Sequence, residues 1–371
     1  MQPLSYAEIN LSHLASNLSL IRRRASGGKV MAAVKANAYG HGLVPVARSL
    51  AKLGVDYLAV AFDTEGVELR QNGVRTPILV LTAVSDYRNI LEYGLTPTVF
   101  SFESLNEVKK LARNGEKMKK KIPVHLDIDT GMGRIGINPA EAGRAIDQIL
   151  GRDGLRLEGI FTHLSSSDNP KDPYTMKQLA LFDRVLGLLE ERKVSVPLIH
   201  AANSGGILNF PCCHFNMIRP GIALYGCSPD GRPDGIPGLK PLLELKTKIF
   251  HIKTVSRATG IGYNHTYTAR KGQVIATIAA GYGDGYNRLL SNRGRTIVAD
   301  RWAPIVGRVS MDQTTIDVTA APSAKIGDEV VLIGRSKTKS ISAADIAKLA
   351  GTISYEVFCD LSMRVKRVYV G

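Results

Sequence analysis

The sequence has 371 residues, of which 44% are hydrophobic and 22% are charged, and its formal net charge is +15. A chain of this length exceeds one ordinary hydrophobic core, so we expect two domains. The mean hydropathy lies near zero, and no apolar run approaches the roughly 18 residues of a membrane-spanning helix, so we expect no membrane partner. The polar N-terminal segment does not have the pattern of a secretory signal, and we expect a cytoplasmic protein.

The positive charge raises the question of nucleic-acid binding. Two basic runs exist, Arg22–Arg24 and Lys119–Lys121, but neither is interleaved with aromatic residues or set in a recognisable nucleic-acid-binding module. We therefore expect no nucleic-acid partner and interpret both runs as solvated surface charge, although a basic field can attract an anionic cofactor or a carboxylate substrate. The four cysteines contain no Cys-x-x-Cys pair, so we expect reduced thiols and no metal site.

Short apolar runs alternate with helical patterns in the first two thirds of the chain. Eight of these runs have the length and composition of buried strands. They are Val30–Val34, Tyr57–Ala61, Ile78–Leu81, Pro97–Phe100, Ile122–Ile128, Leu157–Phe161, Val196–His200 and Phe215–Ile218. Eight strands with helices between them predict an α/β fold, a (β/α)8 barrel. An open doubly wound sheet has the same alternation, so the count favours the barrel without excluding that sheet.

The pattern changes after the Gly- and Pro-rich stretch Ser228–Pro241. Strand-like runs then follow one another, with a single helix candidate at Ser342–Leu349. These runs are Leu242–Val255, Val274–Ala279, Thr296–Val309, Thr314–Val318 and Glu329–Ile333. We predict a barrel domain over residues 1–235 and a mostly-β domain over residues 236–371, with about the first ten residues free to pair with the second domain.

Lys35 lies where the first predicted barrel strand ends. Barrel enzymes place catalytic groups at the C-terminal ends of their strands. A lysine at this point is partly buried, and burial disfavours its charged form and makes the amine a nucleophile for an aldehyde. Taken alone, a lysine at a strand end more often begins a surface loop, so this signal needs support from the rest of the chain.

Two loops have the composition of a phosphate site. Asn203-Ser204-Gly205-Gly206 follows the seventh predicted strand, and Arg219-Pro220-Gly221-Ile222 follows the eighth. Many barrels bind phosphate with these two loops, through backbone N–H groups at the start of a short helix. A nucleophilic lysine and a phosphate site at the same rim indicate pyridoxal 5′-phosphate as the cofactor.

With further motifs along the chain, these segments resemble the alanine racemase family, and the resemblance covers essentially the whole sequence. The matching segments are Ala33–Gly42, Asp129–Arg134, Thr162-His163, Ala202–Gly205, Arg219–Ile222, Gly262-Tyr263, Gly281–Gly285, Arg308–Asp312 and Tyr355-Glu356. Any one of them is a weak signal, and their joint occurrence in order is a strong one. The resemblance implies racemisation of alanine, D-alanine supply for peptidoglycan, and a homodimer with shared active sites.

The resemblance also implies a role for each matching residue. Lys35 would bind the cofactor covalently and act as one base, and Tyr263 would be the second base. The residues expected to hold the cofactor are Tyr39, Asn203, Ser204, Gly221, Ile222 and Tyr355 around its phosphate, His163 and Arg219 at its ring, and Arg134 beside its phenolic oxygen. Arg134, Tyr282, Met311 and Asp312 are expected to contact substrate, the last three from the partner subunit's β domain.

Two acid–base groups on opposite faces suit racemisation, which removes a proton from one face and delivers one to the other. Arginine beside the ring nitrogen suits it too, because a guanidinium does not give up its proton and leaves the ring a weaker electron sink. Arg219 therefore favours a racemase over a decarboxylase or an aminotransferase. A racemase of broader range, acting on serine or basic amino acids, and a non-catalytic cofactor-binding protein remain as alternatives.

One position departs from the family pattern. Many members carry a carbamylated lysine two residues before the Asp129–Arg134 motif, and here that position is Asp127. Residues 125, 127 and 129 share one face of a strand, which we expect to be the barrel interior. A carboxylate there needs a partner, and we predict that Arg134 pairs with it.

Overall fold

The computed structural model describes residues 4–25, 27–115, 121–151, 154–232 and 235–371. Most of the second basic run therefore lies outside the described residues. The chain divides into two compact units. The barrel unit comprises Asn17–Ala38 and Leu43–Leu224, and the β unit comprises the chain up to Ser16, Tyr39–Gly42 and Tyr225–Gly371. Strand β1 (Tyr6–Asn10) belongs to the β unit, and helix α1 (Leu11–Arg24) continues from it into the barrel unit.

The barrel unit contains the eight predicted strands as one parallel sheet. They are β2 (Lys29–Ala33), β3 (Tyr57–Val60), β4 (Ile78–Val80), β5 (Thr96–Val99), β6 (Ile122–Asp127), β7 (Leu155–Phe161), β8 (Leu198–His200) and β9 (Met217–Ile218). Each strand from β2 to β7 pairs with the next along the chain, and β9 pairs with β2. This order confirms the nearly closed barrel, because the strand order of a doubly wound sheet reverses direction.

Helices cover the outside of these strands. They are α2 (Leu43–Lys52), α3 (Asp63–Gln71), α4 (Arg88–Glu92), α5 (Phe102–Gly115), α6 (Ala142–Leu150), α7 (Tyr174–Glu191) and α8 (Ser204–Asn209). Helix α6 buries Ala142, Ala145, Ile146 and Ile149, the spacing of one helix face. Because the helices bury one face of the strands and the interior the other, β3 is buried at every residue.

The β unit is built mainly from antiparallel strands. They are β10 (Leu243–Thr254), β11 (Thr259–Ile261), β12 (Tyr267–Ala269), β13 (Val274–Ile278), β14 (Arg295–Val298), β15 (Arg301–Pro304), β16 (Thr314–Asp317), β17 (Glu329–Arg335), β18 (Ser340–Ile341) and β19 (Lys366–Val370). Helices α9 (Ala343–Ala350) and α10 (Ser354–Cys359) precede β19. β1 pairs antiparallel with β10 and parallel with β19. No helix in the described part of the chain could span a membrane.

The β unit agrees with the sequence prediction in its helix and differs from it in several strands. The run Thr296–Val309, predicted as one strand, is the hairpin β14–β15, which turns at Ala299 and Asp300, both with positive φ. The short strands β11, β12 and β18 are too brief to give a pattern of alternation. The predicted helix exists, with Ser342 as its N-cap, since its Oγ accepts a hydrogen bond from Asp345 N at 3.1 Å.

Candidate active site

Four of the predicted site residues follow the C-terminal ends of barrel strands. Lys35 comes two residues after β2, His163 two residues after β7, Ser204 after β8 and Arg219 directly after β9. Because neighbouring parallel strands end at the same rim, these four side chains belong to one end of the barrel. Lys35 is half-buried, as the sequence predicted.

The segment after Lys35 is a left-handed turn. Ala36, Asn37 and Ala38 have φ values of 52°, 54° and 52° with ψ between 44° and 55°, and Tyr39 follows with φ 53°. L-amino acids adopt the left-handed backbone region only as single residues, at a cost of about 1–2 kcal/mol each. Consecutive residues in this conformation are a strained arrangement that the surrounding structure must stabilise.

Polar contacts within the barrel unit hold this turn. Ala36 N donates to Glu65 Oε1 at 2.6 Å, and the other oxygen of Glu65 accepts from Ala61 N at 2.8 Å. Asn37 Oδ1 accepts from Leu43 N at 2.8 Å, which ties the turn to the first residue of α2. The carboxylate of Glu65 therefore joins the loops after β2 and β3 and fixes the backbone that carries Lys35.

The two predicted phosphate loops meet in the barrel unit. Ser204 Oγ accepts hydrogen bonds from Gly221 N at 3.0 Å and Ala223 N at 3.2 Å. All three groups are buried. The two backbone N–H groups orient the hydroxyl, which keeps its own proton and can donate it to a phosphate oxygen. Ile222, also buried, lies between the two amides in sequence.

Asn203 has a structural role beside this cluster. Its Oδ1 caps α8 by accepting from Gly206 N at 2.9 Å, and its Nδ2 donates to Leu164 O at 3.0 Å. Ser167 Oγ also donates to Asn203 Oδ1, at 2.6 Å. The amide is thus fully engaged in positioning the loop that presents Ser204.

Arg219 is the most heavily contacted side chain of the site. Its Nη1 donates to His200 Nδ1 at 2.7 Å and to His200 O at 2.8 Å. Its Nη2 donates to Thr162 O at 2.7 Å and lies 3.3 Å from His163 Nδ1. Burial lowers the pKa of Arg219 to about 10, so the guanidinium keeps its charge at neutral pH. Arg219 and His163, both expected at the cofactor ring, are thus in contact with each other.

A chain of histidines runs from Arg219 through the barrel interior. His200 Nε2 lies 2.9 Å from His125 Nδ1, and both rings are fully buried. Burial and the charge of Arg219 lower the pKa of His200 well below its usual value, and burial lowers that of His125 to about 3. The ring of His125 lies against Gly159, where a Cβ would come within 2.4 Å of it. Both histidine rings are therefore neutral, and each has one nitrogen that can donate a hydrogen bond and one that can accept one.

His163 is also held neutral. Its pKa is lowered well below the usual value by burial and by the nearby charges of Arg219, Arg134 and Lys35. With Nδ1 facing the Arg219 guanidinium, the proton of the neutral ring resides on Nε2.

Asp127 is buried in the barrel unit, as its strand position predicted. Burial raises its pKa to about 7, although Arg219 and Arg134 act in the opposite direction. The predicted ion pair with Arg134 is wrong, because no cation of the described residues forms an ion pair with this carboxylate. Arg134 is exposed, in a turn where Asp129 Oδ1 accepts from Gly131 N and Gly133 N at 3.0 Å each.

The β unit brings three of the predicted residues together. Tyr282 N donates to Ser310 O at 3.0 Å, and Gly283 N donates to Met311 O at 2.8 Å. Asp312 accepts from Arg364 Nη1 at 2.8 Å. The side chains of Tyr282 and Met311 are 43% and 52% exposed. Two loops of this unit thus present an exposed tyrosine and an exposed methionine side by side.

The remaining tyrosines lie in the same unit. Tyr263 begins a short 3-10 turn and is 68% exposed. Tyr39 and Tyr355 pack with their ring centroids 5.9 Å apart, and Tyr39 also stacks on Tyr225 at 4.8 Å. Burial keeps the pKa of Tyr39 above its usual value, so its hydroxyl remains a donor.

Sequence reasoning missed several supporting residues. His200 and His125 were noted only as parts of motifs, Glu65 gave no signal at all, and Arg364 was not considered. For the two histidines a signal existed, since each occupies an inward position of a predicted strand. Their contact joins residues 75 positions apart, which no local pattern predicts.

The fold and these side chains define a two-unit barrel enzyme whose rim combines a lysine, a buried arginine and a donor cluster suited to phosphate. The comparisons with known proteins agree with this class. The profile described as "Alanine racemase, N-terminal domain" matches residues 9–229, and "Alanine racemase, C-terminal domain" matches residues 242–369. The alanine racemase of Halothermothrix orenii is 44% identical over 368 residues, which cover 98% of this chain and 96% of that protein.

Solved structures give the same result. Alanine racemase of Clostridium difficile superposes with a TM-score of 0.92 at 38% identity, covering 100% of this chain and 96% of that one. The enzyme of Bartonella henselae, described "with covalently bound pyridoxal phosphate", has a TM-score of 0.88 at 28% identity and covers 100% of both chains. The chain belongs to the alanine racemase family.

Proposed function

We propose that this protein interconverts L-alanine and D-alanine, using pyridoxal 5′-phosphate as cofactor and Lys35 and Tyr263 as its two bases. The observation that carries the proposal is the fixed, charged guanidinium of Arg219 at the barrel rim, with neutral His163 beside it. Family membership supports the same activity, since the relatives are named alanine racemases.

The donor chemistry of the barrel unit fits the cofactor. Ser204 Oγ accepts hydrogen bonds from two backbone N–H groups and keeps its own proton, which it can donate to a phosphate oxygen. At Gly205 a Cβ would come within 2.7 Å of the Ser167 backbone, so the loop accepts no side chain there. Tyr39 and Tyr355 contact each other in the β unit, and we propose both as further contacts of the cofactor phosphate.

When bound, the cofactor withdraws electrons from the α-carbon of the amino acid and makes its proton removable. The guanidinium of Arg219 would face the nitrogen of the cofactor ring and would keep its own proton. Its contacts with His200, Thr162 and His163 leave the guanidinium no freedom to turn away. A weak electron sink limits side reactions, so this arrangement supports a racemase over a decarboxylase.

In this scheme each base acts on one face of the substrate. Lys35 would move the proton on one side and Tyr263 on the other, with neutral His163 supplying hydrogen bonding rather than charge. Arg134 would orient the cofactor and the substrate carboxylate.

We also propose a homodimer in which Tyr263, Tyr282, Met311 and Asp312 complete the partner subunit's site. Large side chains that are exposed in one chain mark an interaction surface when they cluster, and the exposed Tyr282 and Met311 lie on adjoining loops of the β unit. A non-catalytic cofactor carrier would leave these residues without a role.

A single assay tests the proposal. Wild-type protein should form D-alanine from L-alanine, and Lys35→Ala should lose both this activity and the visible absorbance of bound cofactor. Lys29→Ala, at the exposed opposite end of β2, is the matched control and should retain both. A yellow, active Lys35→Ala enzyme would overturn the assignment. Parallel assays with serine and a basic amino acid measure the substrate range.

A further inference from the structure

The β unit contains a cavity that the proposed reaction does not use. Its volume is about 350 Å³, within the range of small-molecule sites. The segment before β10, strand β17 and the first turns of α9 and α10 line it. Much of the wall is apolar and includes the side chains of Leu243, Ile333, Ile341 and Phe358.

The start of α9 brings unsatisfied donors to this wall. Ala343 and Ala344, the first two residues of the helix, line the cavity and are buried. A helix cannot satisfy its first N–H groups internally. The capping oxygen of Ser342 is taken by Asp345 N, and none of the described residues accepts a hydrogen bond from the amides of Ala343 or Ala344.

Ser354 is an independent observation at the same wall. It begins α10, lines the cavity and is only 1% exposed. Its hydroxyl has no hydrogen-bond partner among the residues that the structure describes. Buried hydroxyls are nearly always bonded, so this atom can form a hydrogen bond with a polar group placed in the cavity.

The charges around the cavity favour an anion. Arg335 lines it, and its guanidinium forms no ion pair within the described part of the chain. Glu244 is the one carboxylate among the described lining residues, and it forms an ion pair at 2.8 Å with Lys246, which also pairs with Glu8 at 3.3 Å. The partial positive charge of the α9 N-terminus acts in the same direction as Arg335.

We propose that this cavity binds a small organic anion with an apolar body. The carboxylate or phosphate group would accept hydrogen bonds from the amides of Ala343 and Ala344 and from the Ser354 hydroxyl, with Arg335 as its counter-charge. The apolar body would pack against Leu243 and Phe358. The site lies in the β unit and is separate from the donor cluster around Ser204.

Calorimetric titration of the cofactor-loaded protein tests the proposal. The probe is phenyl phosphate, added in the presence of saturating DL-alanine so that the proposed substrate site is occupied. We expect one probe molecule per chain. Benzoate distinguishes a carboxylate site from a phosphate site, and benzyl alcohol, of similar shape but neutral, measures the contribution of the apolar wall alone. Equal binding of benzyl alcohol, or no binding of either anion, would overturn the proposal.

Two substitutions assign the bound probe to this cavity. Ser354→Ala and Arg335→Gln should each weaken binding by about tenfold, the effect of one lost charge-assisted hydrogen bond. Arg257→Gln, an exposed arginine of the same unit that does not line the cavity, is the matched control and should bind as the wild type does. Probe affinity that is unchanged in both Ser354→Ala and Arg335→Gln would place the probe elsewhere and refute the site.

Discussion

Arg219 Nη1 lies 2.7 Å from His200 Nδ1, and this contact determines the tautomer of the histidine. Because a guanidinium only donates, Nδ1 must accept, and the proton of the neutral His200 ring is on Nε2. That proton points to His125 Nδ1 at 2.9 Å. The orientation of a single arginine at the rim is thus supported by two neutral rings deeper in the barrel.

Replacing His200 should loosen Arg219 without removing it. His200→Phe keeps the stacking on Phe161, whose ring centroid lies 4.8 Å away, and loses the acceptor. We expect turnover to fall about 10- to 100-fold, the usual effect of removing a group that orients a functional residue, with a smaller change in KM. Steady-state kinetics measure this. His214→Gln, a buried histidine that contacts Ile207 O, serves as the control; equal losses in the two variants would mean a general loss of stability.

Asp127 should make stability depend on pH. Its pKa is about 7 in the folded chain against an ordinary value of 3.8, so the unfolded chain releases this proton first as pH rises. The contribution of this group to the free energy of unfolding therefore decreases between about pH 4 and pH 7 and is constant above. Asp127→Asn should remove that slope. Urea unfolding at intervals from pH 5 to pH 8 measures it, with exposed Asp168→Asn as the control; identical slopes for wild type and Asp127→Asn would contradict the prediction.

Asp127 should also make catalysis independent of carbon dioxide. Asp127 occupies the position at which many family members carry a carbamylated lysine and cannot itself be carbamylated, so removing bicarbonate should leave activity unchanged. In its ionised form Asp127 favours the charged form of Arg219, and we expect Asp127→Asn to reduce turnover. Activity restored by added bicarbonate, or an Asp127→Asn enzyme as fast as the wild type, would show that this carboxylate has no such role.

Tyr263→Phe should retain the cofactor and lose most turnover in both directions. We assign the D face to Lys35 in the proposed scheme, so in deuterated solvent this variant should exchange the α-proton of D-alanine faster than that of L-alanine. Proton NMR follows both exchanges. Tyr267→Phe is the matched control, because it removes a hydroxyl that accepts a hydrogen bond from Gln273. This variant should exchange the α-protons of both D-alanine and L-alanine. Equal exchange of the two enantiomers by Tyr263→Phe would contradict a two-base scheme.

If the proposed dimer forms, Met311→Glu should separate it and abolish activity while the barrel unit still binds cofactor. A charge buried at an interface without a partner opposes association. Analytical ultracentrifugation and the cofactor's absorbance measure both effects together. Ile326→Glu, a charge at another exposed apolar residue of the β unit, is the control. A fully active Met311→Glu monomer would show that Tyr263 works within its own chain.

The barrel was predictable because its strands are buried on both faces and read as unbroken apolar runs. The rim residues followed from the same argument, since Lys35, His163, Ser204 and Arg219 each stand just after a strand. The β unit was harder to predict from the sequence. Its hairpin turns at Ala299 and Asp300 with positive φ, and nothing in an alanine indicates such a conformation.

The contacts within the site were the hardest to predict. Asp127 was correctly placed inside the barrel by the alternation of side chains, but its pairing with Arg134 was wrong. The error arose because the resemblance implied that the group at position 127 holds this arginine, whereas the Asp129 turn leaves Arg134 exposed. Glu65 stabilises the turn after Lys35 from 29 positions away, a distance at which only the folded chain brings the two together.

The turn after Lys35 has a stereochemical consequence. Ala36 and Ala38 lie in the backbone region that is strained for an L-residue and relaxed for its mirror image. A chain assembled by chemical ligation with D-alanine at both positions would keep the hydrogen bonds of Ala36 and Asn37 and be relieved of about 1–2 kcal/mol of strain per residue. The amino acid we propose as the product is thus the enantiomer that this enzyme's own backbone would accommodate best.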